Sequence, residues 1–539
     1  MKKIILLLLL SSICKVCIGS TFYIDPMNGS DQGDGSFTAP WQTLENVISS
    51  NLIESRAYVT PYDQNAPQIV DKNIGAPIQV GDTIMLYSGL HGELFLDNYI
   101  NSDFITIKAV ANNIPIIKNA HIRAGEKWRL EDVTISSEPY NQYINNKLVF
   151  LESHTWQGPV STIEIINCHV FSSVTPWTVA NDWITKASGG IIIRGDSILI
   201  KDNVLENVIL GITMEGQYIH VIGNSVTNFS ADGIRIIGSN NLVESNTIKN
   251  CYNVDGNHDD GIQSYTTGGA VVDNNIVRRN VILNYEDPNQ PLSGPLQGIG
   301  CFNGPFNNWI VENNLVIVNH WHGISFYGGN NCQIINNTVL DPTPDLTPGP
   351  AWIKIEDLSG NPSLNCMVKN NVSNSLEISP NSNTTQGNNK QLSSYTDYSN
   401  NFVDYENIDF HLLQNSSLID SADLMVSPSI DLDGMSRPQG SSSDIGAYEY
   451  DFIVSTKDVS QEQSIKIYPN PTSDKMQIEG DFNKLTIRLY NELGQAIKTF
   501  TSVQLPYTMD VESIPNGIYF IKIINDSGVQ LNTYKVLKQ

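Results

Sequence analysis

Two acidic phrases stand 28 residues apart: Asp232-Gly233-Ile234-Arg235, and Asp260-Gly261-Ile262-Gln263 preceded by Asn257-His258-Asp259. Carboxylates beside an imidazole and a guanidinium can give a proton, take one, and hold developing negative charge. Farther on, His320-Trp321-His322 and Trp352-Ile353-Lys354 add two imidazoles, two indoles and an ammonium. These residues fit two reactions on glycans. Proton abstraction beside a uronate carboxylate, the lyase or epimerase reaction, needs His258 or His322 as base. Its neutralising charge is then Arg235, Lys354, or a calcium ion held by Asp232, Asp259 and Asp260. Glycoside hydrolysis instead needs one carboxylic acid and one carboxylate that activates water. A third reading is binding alone, with Trp321, Tyr327 and Tyr265 stacking on sugar rings.

Internal repetition places these residues. A Gly-Ile pair opens a strand at Gly190, Gly211, Gly233, Gly261, Gly298 and Gly323, and Trp352-Ile353 continues the series. An asparagine phrase recurs with it at Asn203, Asn224, Asn246, Asn280, Asn314, Asn337 and Asn371, spaced by 21, 22, 34, 34, 23 and 34 residues. A minimum near 21 with longer excursions describes a coil that carries loop insertions. Short β-branched strands with one Asn per coil predict an all-β chain folded as a right-handed parallel β-helix, with inward residues stacked in ladders. Asn suits such a ladder because it tolerates a left-handed corner and bonds its stacked neighbour. With the Ile after each Gly facing inward, side-chain alternation points the next residue out. That outward row runs Ile192, Thr213, Arg235, Gln263, Gly300, Ser325, Lys354, and the row two residues on runs Arg194, Glu215, Ile237, Tyr265, Phe302, Tyr327, Glu356. Asp232, Asp260, Gln297 and His322 precede the glycines, and His258 and His320 lie three before theirs. The proposed catalytic set is His258, Asp259, Asp260, Asp232, Arg235 and His322. The proposed binding set is Gln263, Tyr265, His320, Trp321, Tyr327, Lys354, Arg194 and Glu215. His169 and His220 fall elsewhere on the coil and read as structural.

A formal charge of −25 repels nucleic acid and anionic membrane and suits a weakly charged glycan better than a polyanion. Residues 1–19, two lysines followed by a Leu/Ile run, read as a secretory signal peptide. The run is too short for the ~20 residues that cross a bilayer, so no transmembrane segment is expected. Beyond it, Cys168, Cys251, Cys301, Cys332 and Cys366 form neither a disulfide framework nor a zinc motif. Cys332 and Cys366, each five residues before a ladder Asn, are candidate neighbours for a disulfide or for two interior thiols. The expected organisation is a β-helix over 20–453 with an amphipathic capping helix about 40–50, a polar linker over 454–463, and a small β-sandwich over 464–539. The chain is expected to act as a monomer. Asp31, Asp34 and the Asp431-Leu-Asp-Gly434 phrase read as turns.

Five resemblances bear on this reading. Tyr468-Pro-Asn-Pro-Thr472, Leu489-Tyr-Asn-Glu-Leu-Gly494, Ile514-Pro-Asn-Gly-Ile-Tyr519 and Lys535-Val-Leu-Lys-Gln539 resemble the type A sorting domain of the type IX secretion system of Bacteroidetes. That implies engagement with this machinery and a secreted or cell-surface protein. Arg437-Pro438 with Asp444-Ile-Gly-Ala-Tyr-Glu-Tyr450 resembles the closing segment of secreted bacterial β-helix proteins. The repeat and its polar face look like the pectin-lyase-like fold, and the resemblance implies a polysaccharide lyase first and a hydrolase second. Within it, His258-Asp259 resembles the His-Asp of the Asp-Pro-His-Asp signature of β-helix alginate epimerases, with the leading Asp-Pro absent. Asp232-Gly233, Asp259-Asp260, His322-Gly323 and Ile353-Lys354 are similar in order to the motifs of polygalacturonase-type inverting hydrolases. Trp321 and Trp352 replace a Gly and an Arg of that pattern, and one extra coil precedes the His.

Overall fold

A computed structural model describes residues 19–143, 146–266, 270–344, 346–359, 362–451, 465–480, 482, 484–491, 496–525 and 530–539. Nearly all of the signal-peptide segment and the whole of the 454–463 linker lie outside them. The chain divides into two compact units, the first ending at Phe452 and the second beginning at Ile453.

Three sheets of parallel strands run along the first unit, with 13, 12 and 11 strands among the described residues, and the first also carries the antiparallel pair Ser55–Tyr58 and Ile69–Lys72 at its side. One coil takes a strand from each: Leu199–Lys201, Val204–Val208 and Ile212–Met214 are followed by His220–Ile222, Ser225–Phe229 and Ile234–Ile236. The third sheet carries the Gly-Ile phrases in strict register, Ile191↔Ile212↔Ile234↔Ile262↔Ile299↔Ile324↔Ile353. Each of these Ile side chains is at most 1% exposed, so the period-2 reading of the inward face holds.

Glycine precedes six of these seven Ile residues, Trp352 standing before Ile353, and the neighbouring coil leaves no room for a side chain there. A Cβ on Gly211 would fall 2.2 Å from the Gly233 carbonyl oxygen, and one on Gly298 would fall 2.2 Å from that of Gly323. The asparagines form the ladder expected, but for a different conformational reason. The left-handed residue at each corner is the one before the ladder Asn: Asp202 (φ 55°), Ser245 (57°), Arg279 (54°), Asn313 (53°) and Asn336 (54°). The ladder Asn itself is buried and bonds along the stack. Asn280 Nδ2 donates to Asn314 Oδ1 at 3.0 Å and to the Val243 carbonyl at 3.0 Å, while its Oδ1 accepts from the Asn246 backbone (3.0 Å) and Nδ2 (2.9 Å). Asn280→Leu therefore strands several buried polar groups. We expect a loss of about 3–5 kcal/mol at roughly 1–3 kcal/mol per stranded group, read as a fall in the urea midpoint.

The N-terminal helix spans Leu44–Ser49, capped by Thr43, and buries Leu44 and Val47. At the other end Arg437 and Glu449 form a salt bridge of 2.7 Å in which both side chains are fully buried. Asp431 of the Asp-Leu-Asp-Gly phrase closes a turn, accepting from the Met435 and Glu449 backbone N–H groups. All five described cysteines are buried and free, so Cys332 and Cys366 are interior thiols. The second unit packs a three-stranded and a four-stranded antiparallel sheet around its own core, which includes Ile478, Ile487, Leu489 and Ile521.

Candidate functional site

The repeated acidic phrase has a local geometry that recurs up the third sheet. The residue before Gly reaches over the strand to the residue three positions on. Arg235 Nε donates to Asp232 Oδ2 at 2.8 Å, Gln263 Nε2 donates to Asp260 Oδ2 at 2.8 Å, and His322 Nδ1 pairs with Ser325 Oγ at 2.9 Å. The coil between the second and third of these pairs breaks the series: Gln297 has Gly300 as its counterpart, and its Oε1 is buried without a partner. The gap is occupied by the Asp260 carboxyl of the preceding coil and by Phe302 of the same strand, since a Cβ on Gly300 would lie 2.4 Å from Asp260 Oδ1 and 2.4 Å from the Phe302 ring. Gly300 thus makes room for the Asp260 carboxyl. Gly300→Ala is expected to displace that carboxyl and lower glycan turnover at least 10-fold, at a stability cost of about 1–3 kcal/mol. Reducing-end assays and thermal melts on one preparation check both.

The three aspartates are buried, with Asp232 at 2%, Asp259 at 3% and Asp260 at 0% exposure. Burial pushes the Asp259 carboxyl up to about 7, against the hydrogen bonds from Asn253 and Cys251. Burial, then the neighbouring Asp232 charge, raises Asp260 far above the usual carboxylate range. Burial also raises Asp232, but the Arg235 guanidinium opposes it, so of these two stacked acids Asp260 is the one that keeps its proton. Asp259 Oδ1 and Asp260 Oδ1 are both buried without partners. One oxygen of each carboxyl is already engaged: Asp232 Oδ2 by Arg235, Asp259 Oδ2 by Asn253, and Asp260 Oδ2 by Gln263. Among the described residues no group of three or more His, Cys, Asp or Glu side chains is placed to hold a metal. The calcium expected at these aspartates does not fit that donor set.

Above this floor lies a cleft with two lobes. One, of about 370 Å³, is lined by His258, Gln263, Tyr265, Gln297, Phe302 and His322, among others. The second, of about 310 Å³, takes in His258, Gln297, Asp255, Asp259, His320 and Trp321. His258 and Gln297 belong to both. Burial holds His320 and His322 down to about 4, with the nearby His258 adding to the effect, so both rings are neutral at pH 7. Their rings stack with centroids 5.3 Å apart. The loop that carries His258 is braced from behind by Tyr252 and Val254, packed with Trp183 and Leu292.

Sequence order thus brings His258, Asp259, Gln263, Tyr265, His320, Trp321 and His322 to one cleft, with Tyr327 packed beside His322 at 6.0 Å and Asp260 below. It does not bring in Arg194 and Glu215, which pair with each other at 2.6 Å and line neither lobe. Arg235 and Lys354 also line neither. Arg235 is tied to Asp232, and Lys354 to Glu356 at 2.9 Å. The outward row is less open than strand alternation implies, because Ile192, Thr213 and Ser325 are at most 5% exposed. Asp255, exposed at the rim of the second lobe, was missed because it lies in an excursion with no period to mark it. The nearby Asn257, whose backbone and side chain both bond the Asp255 carboxylate at 2.9 Å, was the available signal.

This is a right-handed parallel β-helix with a C-terminal export unit. Residues 156–339 match the family model described as the right handed beta helix region, and residues 466–538 match that of the secretion system C-terminal sorting domain. The tail assigns the protein to type IX secretion and to the cell surface or the medium. No helix among the described residues is long and apolar enough to cross a membrane. The chain is similar to several solved structures. Pectate lyase Pel9A is 14% identical, with 81% of this chain and 98% of that one covered and a TM-score of 0.40. The GH136 lacto-N-biosidase from Eubacterium ramulus is 13% identical over 69% and 68%, with a TM-score of 0.42. A mannuronic acid specific polysaccharide family 6 lyase from human gut microbiota is 13% identical over 59% and 78%, with a TM-score of 0.38. No curated protein sequence matches the chain.

Proposed function

We propose that the protein is an exported glycan-cleaving enzyme, and that its cleft runs acid–base hydrolysis of a weakly charged polysaccharide. The observation that carries this is Asp259, a carboxyl at the cleft with one unpartnered oxygen, raised by burial to about 7 and so able to hold a proton at neutral pH. Asp255 stands in the same lobe but exposed, the second carboxylate in a contrasting environment that hydrolysis needs. In the step, Asp259 gives its proton to the glycosidic oxygen as the C1–O bond breaks. Water bonds to C1 and loses a proton to Asp255, and solvent exchange then restores both groups. His258, Gln263, Trp321 and Tyr265 hold the sugars on either side. Asp260, Asp232 and Arg235 position the floor. None of the described residues lining either lobe is Lys or Arg, which favours a substrate without a carboxylate at the cleavage point.

β-Elimination on a uronate, the reaction the sequence favours, is a second reading, supported by His322. This imidazole is neutral at pH 7, pairs through Nδ1 with Ser325 Oγ at 2.9 Å, and lines the cleft. Incubation of the exported protein with neutral and uronate glycans separates the readings. New reducing ends without ultraviolet absorbance support hydrolysis, whereas absorbance of an unsaturated uronate replaces it with elimination. Binding without new ends from any glycan leaves a carbohydrate-binding surface protein. Activity that falls on calcium chelation would return the metal to the account.

A further inference from the structure

A second concavity, of about 580 Å³, lies on another side of the same coils, between the excursion after Leu283, the segment after Asp341, and the helix Tyr395–Asn401 with the residues that follow it. Its floor is apolar, formed by Leu283, Ile317 and Phe410, each at most 7% exposed. Its wall is tyrosine. Tyr395 and Tyr405 stack with centroids 6.3 Å apart and planes at 25°, and Tyr398 meets Tyr405 edge-on at 5.5 Å. The platform is rigid. Tyr398 donates to the Asp341 carbonyl at 2.9 Å, and Ser394 with Asp397 forms a capping box that fixes the helix. Yet Tyr395 remains 40% exposed.

From this geometry we infer a second glycan-binding site, apart from the cleft, that takes a neutral pyranose oligosaccharide. Aromatic faces bury the C–H face of a sugar, and a cavity of this volume is of ligand size. Hydroxyl-directed acceptors stand beside the rings. Glu286 is held in place by Lys249 at 2.9 Å, Glu406 accepts from Tyr405 at 3.4 Å, and Asn284 Oδ1 is buried without a donor. Charge sets the class: Lys249 pairs with Glu286, but Glu406 adds negative charge and none of the described lining residues is Lys, Arg or His, so an anionic glycan is disfavoured. The site shares walls with the cleft. The stretch 285–297 gives Tyr285, Glu286 and Pro288 to this groove and Pro295 and Gln297 to the cleft, and 342–348 gives Pro342 and Thr343 here and Pro348 there. A polymer held at the tyrosines is thereby kept beside the reacting site. The inference rests on the proposed glycan-active reading, but its test does not require cleavage.

The test is affinity electrophoresis of the exported protein in gels containing xyloglucan, galactomannan, mixed-linkage glucan, alginate or polygalacturonate. The expected result is retardation by at least one neutral polymer. That affinity should fall at least 10-fold in Tyr395→Ala and in Tyr405→Ala and several-fold in Glu406→Gln, and should persist in Asp259→Asn. Turnover of a short oligosaccharide should not change in the tyrosine variants. Thermal melts establish that each variant is folded, and Glu406→Gln decides the matter should a tyrosine variant unfold. No retardation by any neutral polymer overturns the site, as does retardation that survives all three substitutions. Binding confined to the acidic polymers and lost in salt overturns the neutral class. Tyrosine-dependent capture of a fluorescent apolar dye without any glycan binding assigns the groove to an apolar partner and also overturns it. If no glycan is cleaved but tyrosine-dependent retardation is seen, the cleft reading fails and this site stands.

Discussion

Asp259→Asn is expected to lower turnover of the natural polymer by about 10³-fold, within the 10²–10⁴ range of a positioned proton donor. The side chain keeps its size and can still meet Asn253, so the fold is retained. An amide cannot give the proton, and a leaving group that needs none should therefore escape much of the defect. An activated aryl glycoside of the same sugar is expected to lose no more than about 10-fold, and this contrast marks an acid rather than a structural residue. Asp255→Asn should lower both substrates alike, because water must be activated whatever leaves. Wild-type turnover should fall as pH rises through about 7, where Asp259 loses its proton, with the limb absent from the Asn variant. Equal loss on both substrates would remove Asp259 from the role of acid.

The same carboxyl also predicts a stability effect of definite sign. Its folded value, about 7, lies above the ordinary 3.8, so the folded state binds the proton more tightly than the unfolded chain. The contribution is complete below pH 3.8 and is lost as pH rises toward 7. Asp259→Asn, permanently neutral, should flatten that part of the melting-temperature profile.

The coil was legible because its constraints are local and repeat. Glycine is needed wherever the next carbonyl sits 2.2 Å from a would-be Cβ, and each buried Asn bonds the one above. Such rules print a residue type at a fixed place in every turn. The site was legible only where it rides on that period. The phrases beginning at Asp232, Asp260 and His322 could be aligned, and their residues share a floor and a cleft. Lys354 was read as a free cation although Glu356, two residues along the same face, neutralises it, and that pairing was open to the alternation rule. Cover was not legible. Ile192 and Thr213 point outward on their strands yet are buried, because a strand pattern says nothing of what packs over it. Asp255 and the tyrosine groove belong to excursions and to the region beyond the last coils, where no repeat constrains position.

Arg437→Met is expected to destabilise the first unit by about 3–5 kcal/mol, the range for removing one partner of a buried ion pair. Arg437 sits where the closing segment is pinned to the coils. Nη1 donates to Glu449 at 2.7 Å and to the Asp444 carbonyl at 2.9 Å, and Nη2 donates to the Gly446 carbonyl at 2.8 Å and to Asn313 Oδ1 at 3.3 Å. Its loss leaves the Glu449 carboxylate fully buried with only the backbone N–H groups of Gln439 and Asp444. Two carbonyls and Asn313 Oδ1 also lose a donor. Removing the charge from both sides, as in Arg437→Met with Glu449→Gln, should recover part of the loss, because the uncompensated carboxylate rather than the missing attraction is the larger cost. Urea midpoints of the two single variants and the double give the coupling, and a double variant no better than the sum of its parts would show that the two side chains act separately. Because none of the partners of Arg437 lines the cleft, turnover by whatever remains folded should match wild type. A specific activity that falls with the midpoint would instead tie the closing segment to the reacting site.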